Sequence, residues 1–408
     1  MNALNKLLCR DFRLKLYYPL HLLYINVAEY FVRRKSSIKV LFVLGEKSIW
    51  KSEALYKQML EHPRFEPVLG VTTSLEVPGS KLPLILYLES KDYPFVDLDE
   101  NGNSINDVNP DIIIYYKPYS NSIPERHVYW HHLRRLIVYI NYAFNTMGNK
   151  LYVNPRICDF AWIQCIENEL VAKRKREMIG ILRAHNLQVT GLPVQDSLMM
   201  DKTKLKNPWK LQPGKKRIIY APHHSLKEEG KRGIQYSTFL EFGDFMLHLA
   251  KKYKDQVQFA FKPHPTLYKK LLNVWGESRT NIYYREWKTL ENTQYESGEY
   301  MGLFAYSDAM IHDCASFQIE YLYTKNPVLY LVIGSHNVED MNDFGRKAYE
   351  LHYHAGNEKQ IEDFIINTIN GIDERKSERL DFYYNNLLPP NNKSACQNII
   401  NTILGHRQ

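Results

Sequence analysis

Residues 257–265, VQFAFKPHP, and residues 309–323, AMIHDCASFQIEYLY, decide how this chain folds. Each opens on a short run that is apolar almost throughout, as a parallel strand buried on both faces is, and then breaks abruptly into polar or small residues. In open α/β sheets, ligands lie beyond the carboxyl ends of the strands. Lys262, His264 and Pro265 after the first run, and His312, Asp313, Cys314, Ala315 and Ser316 after the second, are therefore expected on one edge. Pro263 and Pro265 hold the backbone and remove donors, which leaves the Lys262 ammonium and the His264 ring to meet an anion. The small residues Cys314 to Ser316 admit an anion to the first N–H groups of a helix opening there. Glu320, one turn on, is expected within reach of a ribose hydroxyl. An ordinary N-cap by Asp313 suits the same residues. Residues 216–332 thus read as an α/β domain that binds a nucleotide diphosphate.

Working outward, the strand Arg217–Tyr220 leads into Ala221-Pro222-His223-His224-Ser225, on the same edge. One of the two histidines is expected to face a ligand and one to pack. Without nearby carboxylates they make a poor metal site, and no metal is expected. The segment Lys227–Gly233 reads as a mobile loop able to close over a donor. A further strand at Val328–Val332 and helices at Thr238–Tyr253, Tyr268–Trp275 and Ser316–Tyr323 complete this half. Upstream, the runs Ile38–Leu44, Pro67–Thr72, Leu84–Tyr87, Asp111–Tyr116 and Leu136–Ile140 give a second series of buried strands.

The expected fold is α/β of the GT-B type, two doubly wound Rossmann-like domains facing a cleft. They would span residues 36–199 and 216–390, joined by a linker at 200–215 that carries Pro208, Pro213 and Gly214. A C-terminal helix, Ser394–Leu404 within residues 391–408, is expected to cross back to the first domain with Ser394 as its N-cap. The turn Gly45-Glu46-Lys47-Ser48-Ile49-Trp50 offers Ser48 as an N-cap and lacks the three-glycine fingerprint of a dinucleotide site.

The net charge of +8, from 53 Lys and Arg against 45 Asp and Glu, is too diffuse for a nucleic-acid groove and suits an anionic ligand or membrane. Five cysteines without paired metal spacing point to a reducing cytoplasm. The absence of an apolar stretch of about 18–20 residues, or of a cleavage site, argues against a spanning or secreted chain. Residues 1–35 set Lys6, Arg10, Arg13, Lys15 and Arg33 to Lys35 around an apolar, aromatic middle. That pattern suits either a helix lying on an anionic membrane or one packed on the protein's own second domain. Among the 30 tyrosines, Tyr115, Tyr116, Tyr119, Tyr139 and Tyr142 are core or surface aromatics that can also stack on a sugar.

In order, IIYAPHHS (218–225), FAFKPHP (259–265) and SDAMIHDCASFQIEYLYTKNPVLYL (307–331) resemble the CDP-glycerol glycerophosphotransferase family, of the teichoic-acid primase and polymerase type. LFVLGEKSIWKSEALYKQMLEHPRFEPVLGV (41–71), NPDIIIYYKPYS (109–120) and VTGLPVQD (189–196) look like landmarks of the same family, which extends the resemblance over roughly 38–335. It implies transfer of an alditol phosphate, glycerol phosphate first of all, from a CDP-alditol to a hydroxyl of a lipid-linked or membrane-associated glycan. CMP is released, at the inner face of a bacterial membrane, for teichoic acid or capsule. By this resemblance His264 contacts the pyrophosphate, with His223 and His224 as further catalytic candidates, and Asp313, Ser316 and Glu320 sit in the donor pocket. No cofactor is required, and Mg²⁺ on the diphosphate is compatible but not implied.

Two departures stand out. The family's acceptor-side Trp-His-Gly-Thr is replaced here by Tyr139-Ile140-Asn141-Tyr142-Ala143-Phe144-Asn145, and its Asp-Tyr-Ser-Ser by Asp313-Cys314-Ala315-Ser316. The base for the acceptor hydroxyl is left to His131, His132, His223 or His224, or is missing. Gly45, Ser48, Trp50, Tyr142 and Asn145 are the acceptor-side candidates. A GT-B glycosyltransferase using a nucleotide sugar for capsule or O-antigen, and a non-catalytic nucleotide-binding scaffold of a polysaccharide assembly system, are the alternatives.

Overall fold

A computed structural model describes residues 3–148, 153–180, 184–210, 212–226, 236–332 and 338–406, with side chains of the first helix described from Tyr18 onward. The segment Lys227–Gly233 lies outside the described residues. The chain forms two compact units, one of residues 1–196 with 389–408 and one of residues 197–388.

The first unit holds β1 (Ile38–Leu44), β2 (Phe65–Val71), β3 (Phe95–Asp97), β4 (Ile112–Tyr115), β5 (Leu136–Ile140), β6 (Ile163–Ile166) and β7 (Leu187–Val189). They pair in parallel in the order β3-β2-β1-β4-β5-β6-β7. The second unit holds β8 (Lys216–Ala221), β9 (Val257–Phe261), β10 (Thr293–Tyr295), β11 (Ala309–His312), β12 (Val328–Leu331) and β13 (Tyr353–Ala355), parallel in the order β10-β9-β8-β11-β12-β13. Each sheet grows outward from its first strand and then reverses, so each has a switch point: β1 beside β4, and β8 beside β11. Every residue of β4, β5, β9, β11 and β12 is buried, as strands covered on both faces must be. Two Rossmann-like sheets of this order are the GT-B class of fold.

Two expectations fail. Leu84–Tyr87 is not a strand but part of a helix, Lys81–Glu89. The run is apolar on all sides and cannot separate the two periods, but Leu84 and Leu88 are buried one turn apart while Leu82 and Leu86 face solvent. Pro83 sits in the first turn, where a missing N–H costs nothing. The strand at this edge is β3, which pairs with β2 from Leu69 against Phe95. Ser48 does not cap a helix either. It lies in a single 3-10 turn, Lys47–Ile49, and the helix proper is Glu53–Glu61.

The second core stacks aromatics behind β8 and β9: Phe261 lies parallel to Trp287 at 5.0 Å, flanked by Tyr220, Phe239 and Tyr283. Trp209 joins this unit by donating its indole N–H to the Leu303 carbonyl (3.0 Å). In the first unit, the helix Ala395–Leu404 is capped by Ser394, whose hydroxyl accepts the Gln397 N–H. The Asp196 carboxylate accepts the N–H groups of Ala395 and Cys396, both at 2.8 Å.

The N-terminal helix, Ala3–Val32, packs on the first unit through its described side chains. His21 Nε2 lies 3.0 Å from the Phe160 carbonyl, and Trp162 donates to Glu29 (2.9 Å). His21, Ile25 and Val32 are buried, while Leu20, Leu23, Val27 and Phe31 are exposed. No helix among the described residues is long and apolar enough to cross a membrane.

Candidate functional site

At the carboxyl ends of β8 and β9 the chain repeats one small device. Pro222-His223-His224-Ser225 and Pro263-His264-Pro265-Thr266 both bend so that a backbone N–H two residues on meets the histidine ring. Ser225 N–H donates to His223 Nδ1 (3.2 Å), and Thr266 N–H donates to His264 Nδ1 (3.2 Å). The Ser225 and Thr266 hydroxyls stand 2.8 and 2.9 Å from the same nitrogens. An amide N–H can only donate, so each neutral ring carries its proton on Nε2 and offers an N–H there.

His224 completes a cluster, with ring centroids 4.3 Å from His223 and 4.0 Å from His264. Burial, reinforced by neighbouring rings and by Lys270, lowers the pKa to about 3 for His223 and about 4 for His224. For His264, burial with Lys270 lowers it to about 4. All three are neutral near pH 7, and among the described residues no carboxylate pairs with their rings, so the donors they offer suit an anion.

The same three rings each offer a nitrogen within 4.8 Å of the others and are the one such group of potential metal ligands among the described residues. A cation on Nε2 of His223 or His264 would drive the ring proton onto Nδ1, against the amide N–H already donating there. The local geometry therefore suits an anion better than a metal ion.

Lys262 is almost wholly buried, and burial holds its ammonium below the usual lysine range against the pull of Glu296 and Glu299. It donates to the Gly298 carbonyl (2.8 Å), with Nζ 5.8 Å from the Tyr300 ring, and has further N–H donors for a ligand. Pro265 lies in the β9 turn between His264 and Thr266.

Asp313, fully buried after β11, does not cap the following helix. Its carboxylate accepts the N–H of His223 (2.5 Å) and both the N–H (2.6 Å) and hydroxyl (3.0 Å) of Thr238. Burial raises its pKa to about 6 although these bonds favour the ionised form. Asp313 thus ties β11 to the His223 turn and to the start of the helix Phe239–Lys252; it is a positioning residue. His312 is buried, with Nδ1 accepting the Cys314 N–H (3.1 Å), and Cys314 donates its thiol to the Ala221 carbonyl (3.1 Å). Ala315 and Ser316 lead into a short helix, Phe317–Glu320, continued by a 3-10 turn. Glu320 is wholly buried, with its carboxylate at the Tyr300 hydroxyl.

Among the acceptor-side candidates, the structure groups Gly45 and Ser48 and leaves the others apart. Gly45 lines a narrow slot at the β1/β4 switch point, and Ser48 donates to Glu46 Oε2 (2.9 Å) on the same slot. Trp50 is core, edge-on to Tyr56, Tyr87 and Tyr93. Asn145 is buried, its N–H donating to Glu167 Oε1 (2.6 Å), and Tyr142 precedes it in the same loop. Glu167 is itself buried, and burial pushes its carboxyl pKa up. Of the suggested bases, His131 pairs with exposed Glu125 (3.2 Å). His132 is buried beside the Arg126 carbonyl (2.9 Å), with burial lowering its pKa to about 4, and neither ring lines the slot. Sequence reasoning missed Glu46, Lys117, Thr238 and Tyr300. The recurrence of Pro-His-x-Ser/Thr after two strands was the visible signal for the histidine turns.

A family model described as CDP-Glycerol:Poly(glycerophosphate) glycerophosphotransferase matches residues 164–405, from β6 to the C-terminal helix. No curated protein matches the chain. Among solved structures, the wall teichoic acid polymerase TagF, as a histidine-to-asparagine variant, is 13% identical, with 97% of each chain covered and a TM-score of 0.57. The UDP-GlcNAc 2-epimerase of Neisseria meningitidis, bound to UDP-GlcNAc, is 17% identical over 90% of this chain and 100% of its own, with a TM-score of 0.59. At these identities the likeness is one of fold.

Proposed function

The chain belongs to the CDP-glycerol:poly(glycerophosphate) glycerophosphotransferase family, and from that premise we propose that it moves glycerol phosphate, or a close alditol phosphate, from a CDP-alditol to a hydroxyl of a membrane-associated glycan, releasing CMP. The observation that carries the donor half is the set of three strand ends around the β8/β11 switch point. Neutral His223 and His264 present Nε2–H donors, Lys262 is buried beside them, and Asp313 holds the turn in place.

In the proposed step the acceptor oxygen attacks the β-phosphorus and the bond to the bridging oxygen breaks. CMP leaves with that electron pair, and the proton of the acceptor hydroxyl is released to water. Lys262 and the histidine N–H groups meet the charge that gathers on the leaving phosphate, so catalysis is mainly positioning and charge stabilisation. These donors can carry the diphosphate without a resident cofactor. The first unit is proposed to take the acceptor. The exposed stripe Leu20, Leu23, Val27 and Phe31, next to Arg33, Arg34 and Lys35, supports a peripheral site on the inner membrane face.

Incubation with CDP-glycerol, CDP-ribitol and a panel of nucleotide sugars, with and without EDTA, tests this. CMP is expected from a CDP-alditol under both conditions. Release of a nucleoside diphosphate alone would instead identify a glycosyltransferase, and loss of product in EDTA would add a divalent cation to the donor. Absence of CMP and CDP binding in calorimetry would favour a scaffold.

A further inference from the structure

The first unit carries a built polar site that the donor reading does not use. Beyond β1 lies Glu46, and beyond the neighbouring β4 lies Lys117; the two ion-pair across the switch point of the first sheet, where a doubly wound fold places its ligand. Lys117 also pairs with Glu76 (2.6 Å). Glu46 is 6% exposed and Lys117 12% exposed in its side chain, so this is a desolvated pair and not a surface contact. Although burial opposes it, the bonds to Glu46 and Glu76 hold the Lys117 ammonium above its ordinary pKa, and it stays charged.

Among the described residues, the hydrogen-bond capacity of the pair is incomplete. An ionised carboxylate has about four lone-pair positions, and Glu46 meets Lys117 on one oxygen and Ser48 on the other. An ammonium has about three N–H donors, and Lys117 directs two of them to Glu46 and Glu76. What is left is an acceptor and a donor side by side, the complement of an alcohol, which both donates and accepts. Tyr115, Tyr119, Tyr129 and Ile123 line the same narrow slot, which suits CH₂ and CHOH groups.

We propose that this slot binds the hydroxyl-bearing end of a linear polyol, with the hydroxyl donating to Glu46 and accepting from Lys117. It rests on the transfer reading only for its purpose, the holding of an acceptor hydroxyl; its chemistry stands on the first unit alone.

Saturation-transfer NMR on the full chain, with glycerol and ribitol as probes, tests the assignment. Wild type is expected to transfer saturation to both. Glu46→Gln, and the double variant Glu46→Gln with Lys117→Met, which removes both charges of the buried pair and leaves Glu76, its side chain 33% exposed, to solvent, are expected to lose at least three-quarters of that signal. CDP binding by calorimetry should stay within twofold of wild type, and an unchanged circular dichroism spectrum and urea midpoint report that both units are folded. Equal signals in wild type and both variants, or no transfer to wild type, would overturn the slot. Loss of signal in the variants from a wild type that releases no CMP from CDP-glycerol would keep the slot and remove the transfer reading instead.

Discussion

The residues that matter most to the donor half act through which nitrogen holds a proton. His223 and His264 are each fixed by a backbone N–H on Nδ1, so both can present only Nε2–H to a ligand while neutral. A second proton on either ring would have to sit on Nδ1 against that amide N–H, so both meet a diphosphate as neutral donors; His224, whose Nδ1 is buried without a partner among the described residues and whose pKa burial has lowered to about 4, is the ring whose pKa a bound diphosphate raises. Binding then takes up protons, and its sign follows: CDP should bind more tightly as pH falls from 8 toward 5.5. His264→Ala should weaken binding by about tenfold or more, since a hydrogen bond to a charged group contributes about 1.5–3 kcal/mol, and His224→Ala should flatten the pH profile. Calorimetry across that range checks both. An affinity independent of pH in the wild type and untouched by either substitution would take both rings out of the donor site.

At the scale of elements, the N-terminal helix shows how one segment serves two surfaces. His21, Ile25 and Val32 recur at helical spacing and are buried on the first unit, whereas Leu20, Leu23, Val27 and Phe31 recur on the other side and stay in water. Arg34 lies over the Tyr30 ring at 3.4 Å, next to that stripe. A row of exposed large apolar residues beside cations is what an anionic bilayer surface accepts. The wild-type chain should co-sediment with vesicles containing phosphatidylglycerol and much less with neutral ones. Leu23→Glu combined with Phe31→Glu should reduce binding at least tenfold, because each buried side chain contributes about 1.5–3 kcal/mol. Equal sedimentation of wild type and variant would detach the stripe from membrane binding.

For the whole molecule, the buried histidines set the acid limit of stability. His132, His223, His224, His264 and His312 have folded pKa values of about 4, 3, 4, 4 and 3, below the ordinary histidine value in each case because of burial. The unfolded chain takes up these protons first as pH falls below about 6.5. Their contribution is therefore complete above that pH and is lost as pH falls through the folded values. Asp313 runs the other way: its pKa, raised to about 6, gives a contribution present below about 3.8 and lost as pH rises through 6. The five histidines outweigh Asp313 and the likewise raised Glu167, and the urea midpoint followed by circular dichroism should fall steadily from pH 7 to pH 4.5. A midpoint that rises over this interval would contradict the assignment of these rings as buried and neutral.

Much of this protein was legible without coordinates. The sequence by itself determined the central strands β1, β5, β9 and β11, because they are runs apolar almost throughout, and it marked the residues that break from them: Lys262, His264 and Asp313. It also carried the family, because motif order survives where overall identity does not. Edge strands of three residues, β3, β7, β10 and β13, are too short to show a period, and the helix over Leu84 hides its period in an apolar run. What only the tertiary structure decided is how side chains far apart in sequence meet. Asp313 bonds to His223 and Thr238, so it braces a turn instead of capping its own helix. Glu46 and Lys117, 71 residues apart, close the first switch point. Such pairings follow from the crossover of parallel strands, which sets neighbours by sheet order and not by distance along the chain, and local pattern carries no record of it.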